Sequence, residues 1–470
     1  MTQFVSLKEA ERARKRATYP SSAAAYSTNE APPFSDEAVA LRFAAEHADS
    51  LRYTAQESRW RRWNGAGWAA DDTLQVFDLA RQGCRDAAAE CNERRTAVAL
   101  ASAKTVAAVE RLARFDRCLA ATPDQWDRDP YLLNAPDGVI DLRSGQVRPH
   151  SPRDYMTKIA AVGPRGDCPR WLAFLNRIFA GNSDLIAYMR RVLGYGLTGL
   201  TTEHAQFFAF GTGANGKSVL LSTIAGILGD YHRTAPIETF VASNGDRHPT
   251  ELAGLRGSRL VTAVETEEGR RWAESRIKQL TGGDTIAARF MRQDFFEYRP
   301  AFKLVIAGNH KPSLRTVDEA IRRRFHLVPF AVTIPPDERD GELTEKLKVE
   351  WPGILAWLIE GALEWQTDGL RPPPAVVDAT DAYLAAEDAL AAWKDELCER
   401  DLAAWTSSTE LFGSWSGWAN ASGEYPGTMR RFAQALESRG LTPVRMRHGR
   451  GFQGLRVLQD GGLLDERVDA

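Results

Sequence analysis

The stretch "FFAFGTGANGKSVLLSTIAGILGDY", Phe207 to Tyr231, joins an apolar run, a glycine-rich turn and a second apolar run. "AQFFAF" (205–210) reads as a buried strand and "KSVLLSTIAGIL" (217–228) as a helix, since a short run bounded by glycine suits a strand and a longer one a helix. Between them Gly211 is followed, after four residues, by Gly216, Lys217 and Ser218, the phosphate-loop spacing in strand–loop–helix context. The glycines let backbone amides curl round a phosphate with no Cβ in the way. The helix N-terminus adds partial positive charge, Lys217 is expected to face solvent and neutralise β and γ oxygens, and the Ser218 hydroxyl can ligate Mg²⁺. Gly211, Thr212, Gly213, Ala214, Asn215, Gly216, Lys217 and Ser218 are the expected nucleoside-triphosphate-binding set.

Hydrolysis needs further parts, and the following residues offer them. "SRLVTAVETEEG" (258–269) is an apolar strand ending in acids. Glu265 and Glu267 are two apart, so on a continuing strand they share a face and can address Mg²⁺ and the attacking water together. "FKLVIAGNHKP" (302–312) is a second buried strand ending in Asn309, a neutral amide suited to orienting water or the γ-phosphate. "DEAIRRRFHLVPF" (318–330) sets Arg322, Arg323 and Arg324 before another strand. A guanidinium near the γ-phosphate stabilises transition-state charge, and in ring ATPases a neighbouring subunit supplies it. Alternation of strands and helices over 205–332 implies a largely parallel sheet with helices on its faces.

Outside this region the chain is less explicit. A formal net charge of −2 over 470 residues means that any nucleic-acid surface must be local. Five cysteines without a CxxC pair argue against a zinc ribbon or a disulfide scaffold and for a reducing compartment. Neither a signal peptide nor an apolar run of membrane-spanning length is present, so the expectation is a soluble, cytoplasmic protein. Residues 1–34 read as a flexible arm. From 35 an N-terminal α+β unit is expected to run to 165, with a hairpin turning at Asn64-Gly65 and Trp60, Trp63 and Trp68 filling a small core. Cys84 and Cys91 share a helix face and read as packing groups. Helices over "PRWLAFLNRIF" and "SDLIAYMRRVLGYGL" lead into an ATPase unit spanning 166–371, "PPPAVV" (372–377) reads as a stiff break, and 378–460 as a separate small domain.

The ordered set "GTGANGKS", "LVTAVETE", "KQLTGGDTIAARF", "KLVIAGNHKP" and "AIRRRFHLVPF" resembles the superfamily III helicase module, and more closely the primase–helicases of phages, plasmids and poxviruses. "WNGAGW", "DPYLLNAPDGVIDL" and "SPRDYMTKIA" resemble the region that precedes the helicase in that family. The resemblance implies an α/β fold with an AAA+-like P-loop core, ATP and Mg²⁺ as ligands, and a hexameric ring translocating 3′→5′ on single-stranded DNA. It assigns Glu265 to the Walker B position with Ser218 on the metal, Glu267 as a second acid, Asn309 as sensor, and Arg323 or Arg324 as the arginine finger. Lys278 to Arg299 corresponds to the hairpin segment facing the ring channel, with Lys278, Arg289 and Arg292 as DNA contacts. Independently, "RFMRQDFFEYRP" interleaves arginines with Phe290, Phe295, Phe296 and Tyr298, which suits a sequence-tolerant grip on single strands. Full-length family members often carry a primase domain ahead of this region. Some thirty residues precede it here, without a carboxylate cluster for metal, so primer synthesis by this chain is not expected and a separate primase is a candidate partner.

"STELFGSWSGWANASGEYPGTMRRFAQALESRGLTPVRMRHGRGFQGLRVL" (408–458) reads helix, turn, helix and a two-stranded wing, and resembles the winged-helix domain that ends many family members. Thr428 is expected to cap the second helix and leave Arg430 and Arg431 at its N-terminal end, where such helices meet duplex DNA. Arg447 in the wing joins them, within a run that also holds Arg439, Arg445, Arg450 and Arg456. The expected activity is an ATP-dependent DNA helicase replicating a phage, plasmid or integrated element in a bacterial host. The alternatives are an ATP-driven assembly module without unwinding and a bifunctional primase–helicase.

Overall fold

The computed structural model describes residues 31–242, 250–265, 269–292, 294–314, 317–447 and 449–458. Helix α1 (Asp36–Glu46) begins where the Ser35 hydroxyl accepts the Ala38 amide at 3.1 Å, with Asp36 and Glu37 in the first turn. That cap satisfies a donor the helix cannot and complements its dipole. Strands β1 (Leu51–Thr54), β2 (Arg59–Trp63) and β3 (Trp68–Ala70) form an antiparallel meander turning at Asn64-Gly65. Helices α2 (Gln75–Glu90), α3 (Arg94–Leu100) and α4 (Ala103–Ala113) follow, and β4 (Ala120–Ala121) pairs parallel to β1. Val39, Phe43, Tyr53, Trp60, Cys84 and Val109 share one core. Of the three tryptophans expected to fill this core only Trp60 does, donating its indole N–H to Glu110 Oε1 at 2.7 Å; Trp68 is buried against Trp126 and Tyr155, and Trp63 is half-buried. Cys84 is buried too, and burial pushes its thiol up to about 11, the property of a packing group and not of a nucleophile.

Strands β5 (Leu132–Ala135), β6 (Gly138–Asp141) and β7 (Gln146–Arg148) form a second meander. The sequence groups them with the N-terminal unit. Leu133, Val139, Ile140 and Leu142 instead join the core that contains Trp171, Tyr188, Leu220 and Leu358. Strand periodicity tells which face is apolar, not which neighbour covers it. Helices α5 (Pro169–Ile178) and α6 (Ser183–Tyr195) belong to the same core.

The centre of the molecule is a five-stranded sheet. Its chain order is β8 (Gln206–Phe210), α7 (Lys217–Leu228), β9 (His232–Thr234), α8 (Thr250–Ala253) and β10 (Leu260–Glu265). Then come α9 (Glu274–Thr281), the hairpin of β11 (Ile286–Ala288) and β12 (Phe296–Tyr298), β13 (Lys303–Gly308), α10 (Glu319–Arg322) and β14 (Phe325–Pro329). The five strands are parallel in the spatial order β14-β8-β13-β10-β9. Successive residues serve opposite cores: Phe207 and Val305 lie on the α5–α7 side, Phe208 and Leu304 on the α9 side. Burial on both faces explains the unbroken apolar runs in these strands.

Helix α11 (Leu343–Lys348) packs on α7, and α12 (Trp351–Asp368) returns to α6. There Gly194 and Gly361 bring two backbones into contact: a Cβ on Gly194 would lie 2.2 Å from Ala362 N, and one on Gly361 2.1 Å from Arg190 O. The prolines of "PPPAVV" do not make a linker. They open α13 (Pro374–Ala386), proline being well suited to a first helical turn. Thr380 Oγ1 accepts Leu327 N of β14 at 2.9 Å, so α13 covers that sheet edge, and Tyr383 and Leu384 join the α9-side core. Residues 378–386 therefore pack with the sheet and not with the C-terminal unit.

That unit comprises α14 (Ala389–Leu397), β15 (Cys398–Glu399), β16 (Trp405–Ser407), α15 (Ser408–Ala421), α16 (Met429–Ser438), β17 (Thr442–Met446), β18 (Gly449–Gln453) and β19 (Arg456–Val457). Trp393, Leu411, Trp415, Phe432 and Phe452 are its core. Strands β16, β18 and β17 form one antiparallel sheet, and Thr428 caps α16 by accepting Arg431 N at 3.4 Å.

Candidate nucleotide and nucleic-acid sites

The residues from Gly211 to Gly216 turn the chain from β8 into α7 at the C-terminal edge of the parallel sheet. Gly213 and Gly216 have φ of 104° and 84°, and Ala214 also adopts a left-handed φ of 49°. Gly211 is required for space: a Cβ there would sit 2.3 Å from Asn215 Nδ2 and 2.4 Å from Phe330 O. Gly216 answers both demands, since a Cβ would also lie 2.5 Å from Ile178 of α5. The loop is tied from the far side by Ile334 N donating to Ala214 O at 2.7 Å.

Lys217 does not face solvent as expected. It is 7% exposed, and its ammonium donates to Gly211 O at 2.7 Å, Asn215 Oδ1 at 3.0 Å and Asn309 Oδ1 at 3.2 Å. Burial lowers its pKa. All three partners are neutral oxygens, so a cation sits in a glycine-walled loop without a carboxylate counter-charge among the described residues. Such a site fits an anion. Ser218 and Thr212 are exposed beside it. Asn309 follows β13, and β10 ends at Glu265 in register with Gly308. Because β13 lies between β8 and β10, Lys217, Asn309 and Glu265 belong to the same edge of three adjacent strands. Ser218 near the start of α7 and Glu265 at the end of β10 thus stand at this same edge. Glu267 lies outside the described residues.

The arginines belong to the opposite edge. Phe325 pairs with Gln206, the first residue of β8, whereas the loop follows the last, Phe210. At 3.3 Å per residue the two edges are about 16 Å apart. Arg323 is exposed and makes no side-chain ion pair among the described residues. Arg324 is 7% exposed, donates Nη1 to Ala320 O at 2.7 Å, and leaves Nε without a partner. Burial lowers the pKa of Arg324.

In the hairpin, Tyr298 is buried and Phe296 half-buried under Arg256, whose guanidinium lies 5.2 Å from the ring centroid. The interleaving expected from the sequence therefore divides into a rooted pair and a free tip. Phe290, Met291 and Phe295 are exposed at the tip, Arg289 stacks 4.8 Å over Phe295, and Arg292 is exposed. Lys278 is not a free cation: its ammonium binds Asp318 Oδ2 at 2.5 Å, and Asp318 caps α10. In the C-terminal unit Arg430, Arg431 and Arg447 are exposed without ion pairs among the described residues, and Arg445 and Arg450 oppose each other in the β17–β18 register. Arg439 and Arg456 are committed to Asp388 and Asp401. Nothing in the sequence marks these last pairs, because their partners lie 51 and 55 positions away.

Two families match this chain: one described as D5 N terminal like over residues 40–180, and a family of unknown function, DUF5906, over 209–324. The chain is 28% identical over 282 residues to "Putative helicase L207/L206" of Acanthamoeba polyphaga mimivirus, a match covering 55% of this chain and 29% of that protein. It is 25% identical over 291 residues to "Putative helicase 022R" of Frog virus 3 (isolate Goorha), covering 57% and 29%. The match thus spans less than a third of either relative's length. Among solved structures, the C-terminal region of NrS-1 aligns with a TM-score of 0.46 at 9% identity, over 89% of this chain and 98% of that one. Among the described residues no helix is long and apolar enough to cross a membrane. With a D5 N terminal like region over residues 40–180 and a likeness to two putative viral helicases, the chain resembles phage and viral primase–helicases.

Proposed function

We propose that this protein is an ATP-dependent DNA helicase of phage or mobile-element replication, built on an AAA+-like P-loop core and working as a hexameric ring translocating 3′→5′. The observation that carries the reading is the division of catalytic groups between two edges of one sheet. Lys217 and Asn309 meet at one edge, 3.2 Å apart, and the exposed Arg323 stands at the other. An arginine about 16 Å from its own phosphate loop can serve only a neighbour's loop, which is the arrangement of a ring.

In this reading the backbone amides at the start of α7 and the Lys217 ammonium hold the β- and γ-phosphates. Asn309 exchanges its contact with Lys217 for one to the attacking water or the γ-phosphate. Ser218 and Glu265 would hold Mg²⁺, which neutralises developing charge on the phosphate oxygens. Arg323, not the buried Arg324, is the finger. Arg289, Arg292 and the exposed phenylalanines of the β11–β12 tip suit stacking and charge contact with single-stranded DNA. The C-terminal unit reads as a winged helix that meets duplex phosphates through Arg430, Arg431 and Arg447. The directly opposed Arg445 and Arg450 fit an anionic partner, because like charges across a strand pair are unfavourable without one. A separate primase or initiator would complete the replication machinery.

The test is strand displacement on a forked duplex with ATP and Mg²⁺, read beside phosphate release. Unwinding that depends on hydrolysis and on a 3′ tail is expected. Hydrolysis without displacement on any fork would reject the helicase reading and leave an ATP-driven DNA-binding module.

A further inference from the structure

Between α13 and α14 the chain passes through Glu387 and Asp388, and both carboxylates reach across to other elements. Glu387 Oε2 accepts Leu314 N at 2.8 Å, holding the segment that follows Asn309. Four residues earlier, in the last turn of α13, the Tyr383 hydroxyl donates to Pro312 O and receives the Trp272 indole N–H. Asp388 is 7% exposed. Its Oδ1 accepts Arg439 Nη2 at 2.6 Å and Ala391 N at 3.2 Å, and its Oδ2 faces Arg322 Nη2 at 3.8 Å. Arg322 is the last residue of α10 and the neighbour of Arg323. Arg439 is the C-cap of α16, whose first turn carries Arg430 and Arg431.

We propose that Asp388 is a positioning residue through which duplex DNA on α16 sets the arginine finger. The proposal rests on the reading of Arg323 as a finger and of α16 as a duplex-contacting helix. One nearly buried carboxylate is shared by two guanidiniums from elements that otherwise belong to different cores, Phe432 and Leu436 of α16 in one and Ile321 of α10 in another. Removing solvent from the pair makes its geometry stiff, since a buried carboxylate that loses a partner is strongly penalised. A rigid ten-residue helix then links the phosphate-contacting end of α16 to that pair. A duplex that shifts α16 changes the share of Asp388 left for Arg322, and with it the set of Arg323 toward the neighbouring loop.

The experiment compares full-length wild type with R439M, R439K and R322Q. Arg439 and Arg322 touch neither nucleotide nor DNA in this reading, so basal ATP hydrolysis should stand. Hydrolysis is measured alone, with oligo(dT), and with a short blunt duplex, beside a thermal melt. Duplex stimulation of about 5-fold or more is expected in wild type. In R439M it should fall to near 1 while basal and oligo(dT)-stimulated rates stay within about twofold. R439K, which keeps a cation against Asp388, should retain most of the stimulation. R322Q cuts the same tie from an exposed position and keeps the test open should R439M melt early; it too should lose duplex stimulation alone. Full duplex stimulation in R439M or R322Q would overturn the proposal. A wild type that hydrolyses ATP but ignores duplex overturns the coupling and leaves the ATPase reading standing, whereas a wild type without hydrolysis overturns both.

Discussion

Mixing two inactive variants, Lys217→Ala and Arg323→Ala, is expected to restore ATP hydrolysis. Arg323 is exposed and forms no ion pair among the described residues, so its truncation should alter stability by no more than about 0.5 kcal/mol. Loss of a finger slows hydrolysis by on the order of 10³-fold or more, or about 4 kcal/mol of transition-state stabilisation. Lys217→Ala removes the ammonium proposed to neutralise phosphate, together with its three contacts to neutral oxygens, and its hydrolysis should also vanish. In a randomly mixed ring, half of the subunits bring an intact loop and half of their finger-donating neighbours bring an intact Arg323. About one quarter of interfaces are then complete, so the mixture should reach about one quarter of the wild-type rate if sites act independently. The assay is phosphate release after subunit exchange, at saturating DNA. Arg324→Ala serves as the control: its guanidinium is buried against α10, so this change should register as a lowered melting temperature. A mixture no more active than the sum of its two parents would refute a shared site, and with it the argument from opposite sheet edges.

Replacing Arg430, Arg431 and Arg447 together by alanine should flatten the salt dependence of duplex binding by up to about 2.7 in log–log slope, with unstimulated hydrolysis retained; filter binding across a salt series measures it. Acid should destabilise the fold before carboxylates titrate. Burial lowers His326 and His232 from 6.5 to about 4, so between those values the unfolded chain binds protons the native one refuses. Their contribution is complete above about pH 6.5 and lost as pH falls toward 4, by up to roughly 3 kcal/mol for His326 and by less for the half-exposed His232, where solvent screens the effect; urea midpoints from pH 7 to 4 will show it. Gly194→Ala would drive a methyl against Ala362 N and should lower stability by roughly 1–3 kcal/mol or more, read as a shifted urea midpoint without loss of the sheet's circular-dichroism signal.

The strand–glycine loop–helix geometry of residues 206–228 was legible because its signal is local. Glycine at positive φ, a lysine at a fixed offset and flanking apolar runs all lie within one stretch of chain. The same holds for the Thr428 cap and the Asn64-Gly65 turn. What the sequence hid is long-range. The β5–β7 strands alternate like any half-buried meander, and only the packed structure shows that Leu133 and Ile140 face the helices beside the loop. "PPPAVV" carries a breaker composition, yet proline at a first helical position starts α13 as readily as it ends a helix. The choice between Arg323 and Arg324 turns on side-chain direction at the end of a four-residue helix, which spacing does not encode. The burial of Lys217 had no sequence signal either, since it depends on Asn309, 92 positions away.

The backbone contact between α6 and α12 has a mechanical consequence. Where helices meet through leucines or valines, side chains can change rotamer and the joint gives. At Gly194 and Gly361 there is no such layer, and behind the glycine loop Gly216 is closed directly against Ile178 and Phe174 of α5 with no room for a Cβ between them. These contacts stand in series, so the side of the sheet bearing α5, α6 and α12 behaves as an anvil of low compliance. A displacement that starts at the loop cannot be absorbed there. It is deflected through the strands to the opposite face, where α9 and the root of the β11–β12 hairpin rest on Phe208, Leu304 and Ile306.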